Sequence, residues 1–137
     1  MPGKIKVSLV TPRGIVLDRE VDEVIAPGVM GEFGVLIGHT PMLTFIKPGL
    51  MSYLENDRFT KFAVGTGFCE VLKDQVTLLV DEAYAVEELD PAEAADEVHR
   101  LEQELLAVDS AANPEEHQII LNKLKVARAK EALISGS

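Results

Sequence analysis

The chain has 137 residues, of which 47% are hydrophobic and 26% are charged. This size and composition are typical of a soluble protein with one modest core, so we expect one small domain with an appendage. The net charge of -10 argues against nucleic acid or an anionic lipid surface as a direct partner, because both require clustered lysine and arginine. The expected partners are other proteins.

We expect the protein to be neither exported nor membrane-spanning. No run of about 18 consecutive apolar residues occurs, and residues 1–4 lead directly into a strand pattern instead of an apolar signal core. The single cysteine, Cys69, excludes an internal disulfide and a cysteine-built zinc site. A reducing compartment is therefore the expected location, and Cys69 is expected to be buried in a strand.

Residues 4–81 have the period of β-strands. Ile5, Val7 and Leu9 alternate with polar residues, as in a strand with one buried and one solvated face. Turn signals interrupt the apolar runs at short intervals: Thr11-Pro-Arg-Gly14, Pro27-Gly28, Lys47-Pro-Gly49, Asn56-Asp57, Gly65-Thr-Gly67 and Lys73-Asp74. Roughly seven or more short strands are predicted, and this spacing is typical of an antiparallel β-sandwich.

The period changes after Leu89. Asp90-Pro-Ala-Glu93 predicts a helix that starts at Pro91, with Asp90 as the N-cap and Glu93 completing a capping box. Apolar residues then recur at helical spacing and form one narrow stripe: Ala94, Val98, Leu101, Leu105 and Val108. Asn113-Pro114 repeats the start signal, so a second helix is predicted to run to about Ile134.

The predicted architecture is therefore α+β. An N-terminal antiparallel β-sandwich is expected over residues 1–86, and a C-terminal antiparallel two-helix hairpin over residues 87–137. Because the hairpin starts with its own capping signal, we expect it to form a separate unit.

The charges of the predicted hairpin are sorted between its helices. The first helix is mainly acidic, with Glu93, Asp96, Glu97, Glu102 and Glu104 against Arg100. The second carries a basic face of Lys123, Lys125, Arg128 and Lys130. Either the helices complement each other in solvent, where an exposed pair contributes about 0 to 1 kcal/mol, or the basic helix leaves its partner and binds an acidic surface elsewhere.

The sequence lacks the motifs of an enzyme. Gly65-Thr-Gly67 is without the third glycine of a dinucleotide-binding loop, and no phosphate-binding loop occurs. His39, His99 and His117 lie far apart and fit no metal-binding spacing. We therefore expect no catalytic residue, no metal site and no cofactor.

Residues 31–49 carry the most specific motif of the chain. The run from Gly31 to Gly49 resembles the stretch GExGxxxGHxPxxxxxxPG of the ε subunit of rotary F-type ATP synthases, called δ in mitochondria. The resemblance extends loosely from Ile5 to about Leu133. It implies a β-sandwich at the foot of the central rotor shaft, followed by a helical hairpin that regulates ATP hydrolysis.

The resemblance also implies function and partners. It describes a non-catalytic subunit of a proton- or sodium-driven ATP synthase that couples the γ shaft to the c ring. The implied partners are the γ subunit, the c ring and the catalytic α and β subunits, without nucleic acid and without insertion into the membrane. The implied location is peripheral, on the cytoplasmic face of a bacterial inner membrane or its organellar equivalent.

Two residues of the motif are candidate rotor contacts. The GExG loop of the family matches residues 31–34, which makes Glu32 the candidate contact with the c ring. His39 matches the histidine of GHxP and is a candidate for the same rotor interface. The alternatives are that Glu32 is a solvated turn carboxylate and that His39 bonds to carbonyl groups of its own turn.

Some bacterial members of this family bind ATP through a motif Ile/Leu-Asp-x-x-Arg-Ala at the start of the first helix. Leu89, Asp90 and Ala94 match it, but Glu93 occupies the arginine position, where an anion would face phosphate. On the second helix, Arg128 matches one expected arginine. We therefore expect ATP sensing to be absent or weak.

Three hypotheses follow for the function. The first is the rotor subunit with a mobile hairpin that brakes the catalytic head. The second is a nucleotide-sensing module whose hairpin folds around ATP. The third is an unrelated β-sandwich that binds a ligand and dimerises through its hairpin.

Overall fold

The computed structural model describes residues 3–136, which contain ten strands, one short 3-10 helix and two α-helices. The first five strands are β1 Ile5–Thr11, β2 Gly14–Val21, β3 Glu23–Gly28, β4 Gly31–Val35 and β5 Met42–Ile46. The next five are β6 Gly49–Glu55, β7 Arg58–Val64, β8 Gly67–Leu72, β9 Gln75–Val80 and β10 Ala83–Tyr84. The 3-10 helix is Val86–Glu88, and the α-helices are α1 Pro91–Ala107 and α2 Pro114–Ser135.

The strands form a sandwich of two layers. The first layer has the order β5-β8-β9-β1-β2, and the second has the order β10-β7-β6-β3, with β4 on the outer edge of β3. Alternate side chains of both layers point inward and form a common core, which includes Leu9, Val71 and Leu78 from the first layer and Val24 and Met51 from the second. The predicted β-sandwich with a C-terminal helical pair is confirmed.

One strand pairing differs from the expected antiparallel pattern. β1 and β9 run parallel, with Val7 beside Val76 and Leu9 beside Leu78, whereas the other pairings are antiparallel. A parallel neighbour cannot come from a hairpin turn, so it requires strands that are distant in sequence. The N-terminal strand β1 is held in this way between β9 and the edge strand β2.

The sheet passes from one layer to the other at the corner between β3 and β5. Gly28 and Ile46 form the paired position there. The Val29 N–H donates to the Phe45 carbonyl at 3.0 Å, and the Lys47 N–H donates to the Pro27 carbonyl at 2.9 Å. A Cβ at Gly28 would lie 2.9 Å from both the Gly31 carbonyl oxygen and the Phe33 ring, so this corner requires glycine for close approach.

α1 and α2 form the antiparallel hairpin that the sequence predicted. Val98 and Leu101 of α1 pack on Leu124 and Ala127 of α2. α2 in turn packs on β6 and β7, where Ala129 and Leu133 cover Ala63 and Leu50. The second helix, not the first, attaches the hairpin to the sandwich.

The predicted capping box at the start of α1 is wrong. The helix starts at Pro91 as expected, but the Asp90 side chain makes no capping hydrogen bond. The equivalent bond lies one element earlier, where the Glu88 carboxylate accepts from the Ala85 N–H at 2.9 Å across the 3-10 helix. The 3-10 helix therefore uses the capping geometry that the sequence suggested for α1.

We predict that truncation after Leu89 leaves a folded sandwich, because the core contains no residue of α1 or α2. The loss of Leu133 from the seam should lower the free energy of unfolding by about 2 kcal/mol. Circular dichroism during thermal unfolding measures both the fold and this loss, and full-length Leu133→Ala is the matched control. An unfolded truncation product would contradict the division into residues 1–86 and 87–137.

Candidate functional site

The outer face of the first layer exposes a row of apolar side chains. Phe45 pairs with Phe68 and Phe68 with Leu79, so these residues lie side by side on adjacent strands. The row continues through Val10 to Ile15. Its end residues, Phe45 and Ile15, are 68% and 69% exposed. This row cannot be predicted from the sequence alone, because it depends on the register of five strands.

Glu32 lies on β4, opposite Pro27, close to the turn between β3 and β4. It is exposed, and the turn itself presents two apolar residues, Val29 and Met30, of which Met30 is 94% exposed. Since the Val29 N–H bonds to the Phe45 carbonyl at 3.0 Å, this turn adjoins one end of the apolar row. An apolar tip with a carboxylate beside it is a second exposed feature at this end of the sandwich.

His39 lies at the opposite end of the sandwich from Glu32. β4 runs from Gly31, beside the corner, to Val35, and His39 follows beyond that end. Its Nδ1 is 2.6 Å from the Thr40 carbonyl oxygen, and its N–H donates to the Leu36 carbonyl at 3.1 Å. The fold does not bring Glu32 and His39 together, and His39 bonds within its own turn.

Asp90 and Glu93 line a cavity of about 220 Å³ between the sandwich and the hairpin. The other lining residues are Tyr84, Glu88, Leu89, Ala94, Glu97 and Lys130. Four carboxylates therefore surround one ammonium group. This charge balance repels phosphate, which is consistent with the expectation of weak ATP binding.

Arg128, the residue of α2 that matches an arginine of the family motif, does not line this cavity. Its guanidinium binds the Glu102 carboxylate at 3.2 Å on the exposed surface of the hairpin. The basic residue of α2 that reaches the cavity is Lys130. The two positions are 200° apart around a helix, so a shift of two residues changes the face.

Lys130 makes contacts with both neighbours of α2. Its Nζ is 3.2 Å from the Glu97 carboxylate of α1 and 4.0 Å from the centroid of the Tyr84 ring of β10. The side chain is only 14% exposed. The Tyr84 hydroxyl donates to Glu82 at 2.7 Å, and burial together with this carboxylate raises the pKa of Tyr84.

The four residues that were predicted to form one basic face of α2 lie on two different sides of the helix. Lys123 and Lys130 are seven residues apart and both line the seam with the sandwich, in a second cavity of about 350 Å³. Lys125 and Arg128 are exposed and lie on the other side of the helix, as 100° per residue requires. Only the second pair faces away from the sandwich.

The described residues include few groups suited to nucleophilic catalysis or to metal binding. Burial raises the pKa of the Cys69 thiol to about 12, so the thiolate is scarcely populated at neutral pH. Within residues 3–136 no group of side chains is suited to hold a metal ion. Neither helix in that range is long and apolar enough to cross a membrane.

Comparison with known proteins gives one consistent result. Residues 4–86 match the family model for the ATP synthase Delta/Epsilon chain, beta-sandwich domain. The ATP synthase epsilon chain of Geotalea daltonii is 40% identical over 129 residues, which cover 94% of this chain and 91% of that protein. The epsilon chain of Citrifermentans bemidjiense is 45% identical over 105 residues, covering 77% of this chain and 76% of that protein.

Solved structures share the fold. A chain in the Euglena gracilis mitochondrial ATP synthase has a TM-score of 0.78 and 22% identity, covering 96% of this chain and 82% of that one. A chain in the Tetrahymena thermophila mitochondrial ATP synthase has a TM-score of 0.54 and 16% identity, covering 64% of this chain and 70% of that one. With the family model over the sandwich and the epsilon relatives over both halves, the chain belongs to the delta/epsilon family of ATP synthase subunits.

Proposed function

We propose that this protein is a non-catalytic central-stalk subunit of an F-type ATP synthase, coupling the γ shaft to the c ring. Its hairpin regulates ATP hydrolysis by the catalytic α and β subunits. The subunit is peripheral to the membrane, on the cytoplasmic face of a bacterial inner membrane or the equivalent face in an organelle. Family membership supports the assignment to the complex.

The exposed apolar row is the observation that carries the coupling role. A row of apolar side chains across five strands is unusual on the outer face of a sheet, and exposed apolar patches mark protein interfaces. The hairpin leaves this face open, since α2 packs on β6 and β7. We assign the row to the γ shaft, because the adjoining tip with Met30 and Glu32 is then available to the c ring.

We predict that Phe68→Ser weakens binding to purified γ subunit by about 2 kcal/mol, roughly 30-fold, because Phe68 lies inside the row. Phe59→Ser is the matched control, since Phe59 is also exposed but lies on β7 of the second layer. Calorimetric titration measures both affinities. Equal affinities of Phe68→Ser and the wild type would contradict this assignment.

The outward pair Lys125 and Arg128 is the best candidate for the regulatory contact. Arg128 holds Glu102 only through an exposed ion pair, and such pairs contribute about 0 to 1 kcal/mol. An acidic surface on the catalytic head can therefore compete for it. Lys123 and Lys130 face the seam with the sandwich, so we assign them to closure of the hairpin instead.

We predict that Lys125→Glu with Arg128→Glu relieves inhibition of ATP hydrolysis in the reconstituted complex, because both cations are removed from the proposed contact. Wild-type inhibition should also weaken toward 1 M salt, where the Debye length is about 3 Å. Steady-state ATPase activity is the measurement, and Lys47→Glu with Lys73→Glu is the control of equal charge. Inhibition that is unaffected by both the reversal and salt would refute the electrostatic contact and leave the coupling role intact.

The nucleotide-sensing hypothesis requires instead that the cavity lined by Asp90 and Glu93 bind ATP. Calorimetry on the isolated chain should detect no ATP binding tighter than about 1 mM, or about −4 kcal/mol, because carboxylates dominate the lining. Glu93→Arg should strengthen any binding, whereas Glu115→Arg, the same charge change outside the lining, should not. A dissociation constant in the low micromolar range, about −8 kcal/mol, would overturn this prediction.

A further inference from the structure

Two interfaces hold the hairpin in its observed position, and the apolar cluster at each contains far fewer buried residues than the sandwich core. α1 rests on α2 through Val98 and Leu101 against Leu124 and Ala127, and α2 rests on the sandwich through Ala129 and Leu133 against Ala63. Alanine contributes little apolar area in such contacts. The polar contacts at these interfaces therefore carry more of the specificity than they would in a large core.

Lys130 belongs to both interfaces at once. Its ammonium group binds Glu97 of α1 at 3.2 Å and lies over the Tyr84 ring of β10 at 4.0 Å. The ring is itself oriented, because the Tyr84 hydroxyl donates to Glu82 at 2.7 Å. The Lys130 side chain is only 14% exposed, so the attraction to the ring and to the carboxylate is stronger than on an open surface.

The two contacts of Lys130 share one entropic cost. A lysine loses more conformational freedom than most side chains when it is fixed. Once the Tyr84 ring fixes the ammonium group, the ion pair to Glu97 forms with little further ordering, and the reverse also holds. Formation of either contact therefore favours the other.

We propose that Lys130 couples the two interfaces, so that the pairing of α1 with α2 and the docking of α2 on the sandwich form one cooperative event. Tyr84 and Glu97 are the positioning residues on the two sides. The coupling itself is a property of the isolated chain. Its use as a regulatory step rests on the proposed function of the hairpin.

Hydrogen exchange of the isolated full-length chain, followed by mass spectrometry, tests the coupling. Tyr84→Leu removes the ring on the sandwich, Glu97→Ala removes the carboxylate on α1, and Lys130→Met removes the charge while keeping the apolar stem. Lys125→Met is the matched control on the exposed side of α2. Peptides from β1 and β9 report whether each variant remains folded.

Coupling predicts that each variant acts on both interfaces. Tyr84→Leu should accelerate exchange in α1 about tenfold although it lies on β10, and Glu97→Ala should do the same at the α2 end that contacts the sandwich. The double variant Lys130→Met with Tyr84→Leu should add nothing to Lys130→Met alone. Lys125→Met should leave both regions unchanged.

Independent interfaces predict a different pattern. Each of Tyr84→Leu and Glu97→Ala would then accelerate exchange only at its own interface, and the effects of Lys130→Met and Tyr84→Leu would add. That result, with β1 and β9 still protected, overturns the coupling. It leaves the proposed rotor role standing, because the experiment involves no other subunit and no ATPase activity.

Discussion

The hydrogen-bonded corner between β3 and β5 is the constraint on which the other features depend. One paired position, Gly28 with Ile46, and the flanking backbone bonds carry the sheet from one layer to the other. The same corner fixes the β3–β4 turn against Phe45. It therefore fixes the position of the exposed tip relative to the apolar row. The same corner thus positions both proposed rotor contacts.

The hairpin depends on the sandwich in a different way. Its contact surface is a small cluster in which Ala63, Ala129 and Leu133 are buried, whereas the sandwich core is a much larger continuous cluster of mostly aliphatic residues. Such a seam has little apolar area to hold it, and regions of low local stability are those that can move without unfolding the rest. The proposed coupling role and the proposed regulatory role thus fall on two parts of the chain that differ in local packing.

Sequence reasoning found the elements because their periods are local. Alternation at Ile5, Val7 and Leu9 predicted β1, and the Pro91 signal predicted the start of α1. It missed features that depend on tertiary pairing. The parallel register of β1 with β9 aligns Val10 with Leu79, and no local pattern encodes that. Motif spacing also did not determine which face of α2 meets the sandwich, so the position of Lys130 beside Asp90 could not be predicted.

The burial of Cys69 has a practical consequence for anyone who studies motion in this subunit. Its side chain is inaccessible to solvent and its pKa is about 12, and thiol-reactive dyes require an accessible thiolate. While it is folded, the natural protein therefore reacts very little with maleimide and iodoacetamide probes. A cysteine introduced on the surface can be labelled at one site, with the native core left intact.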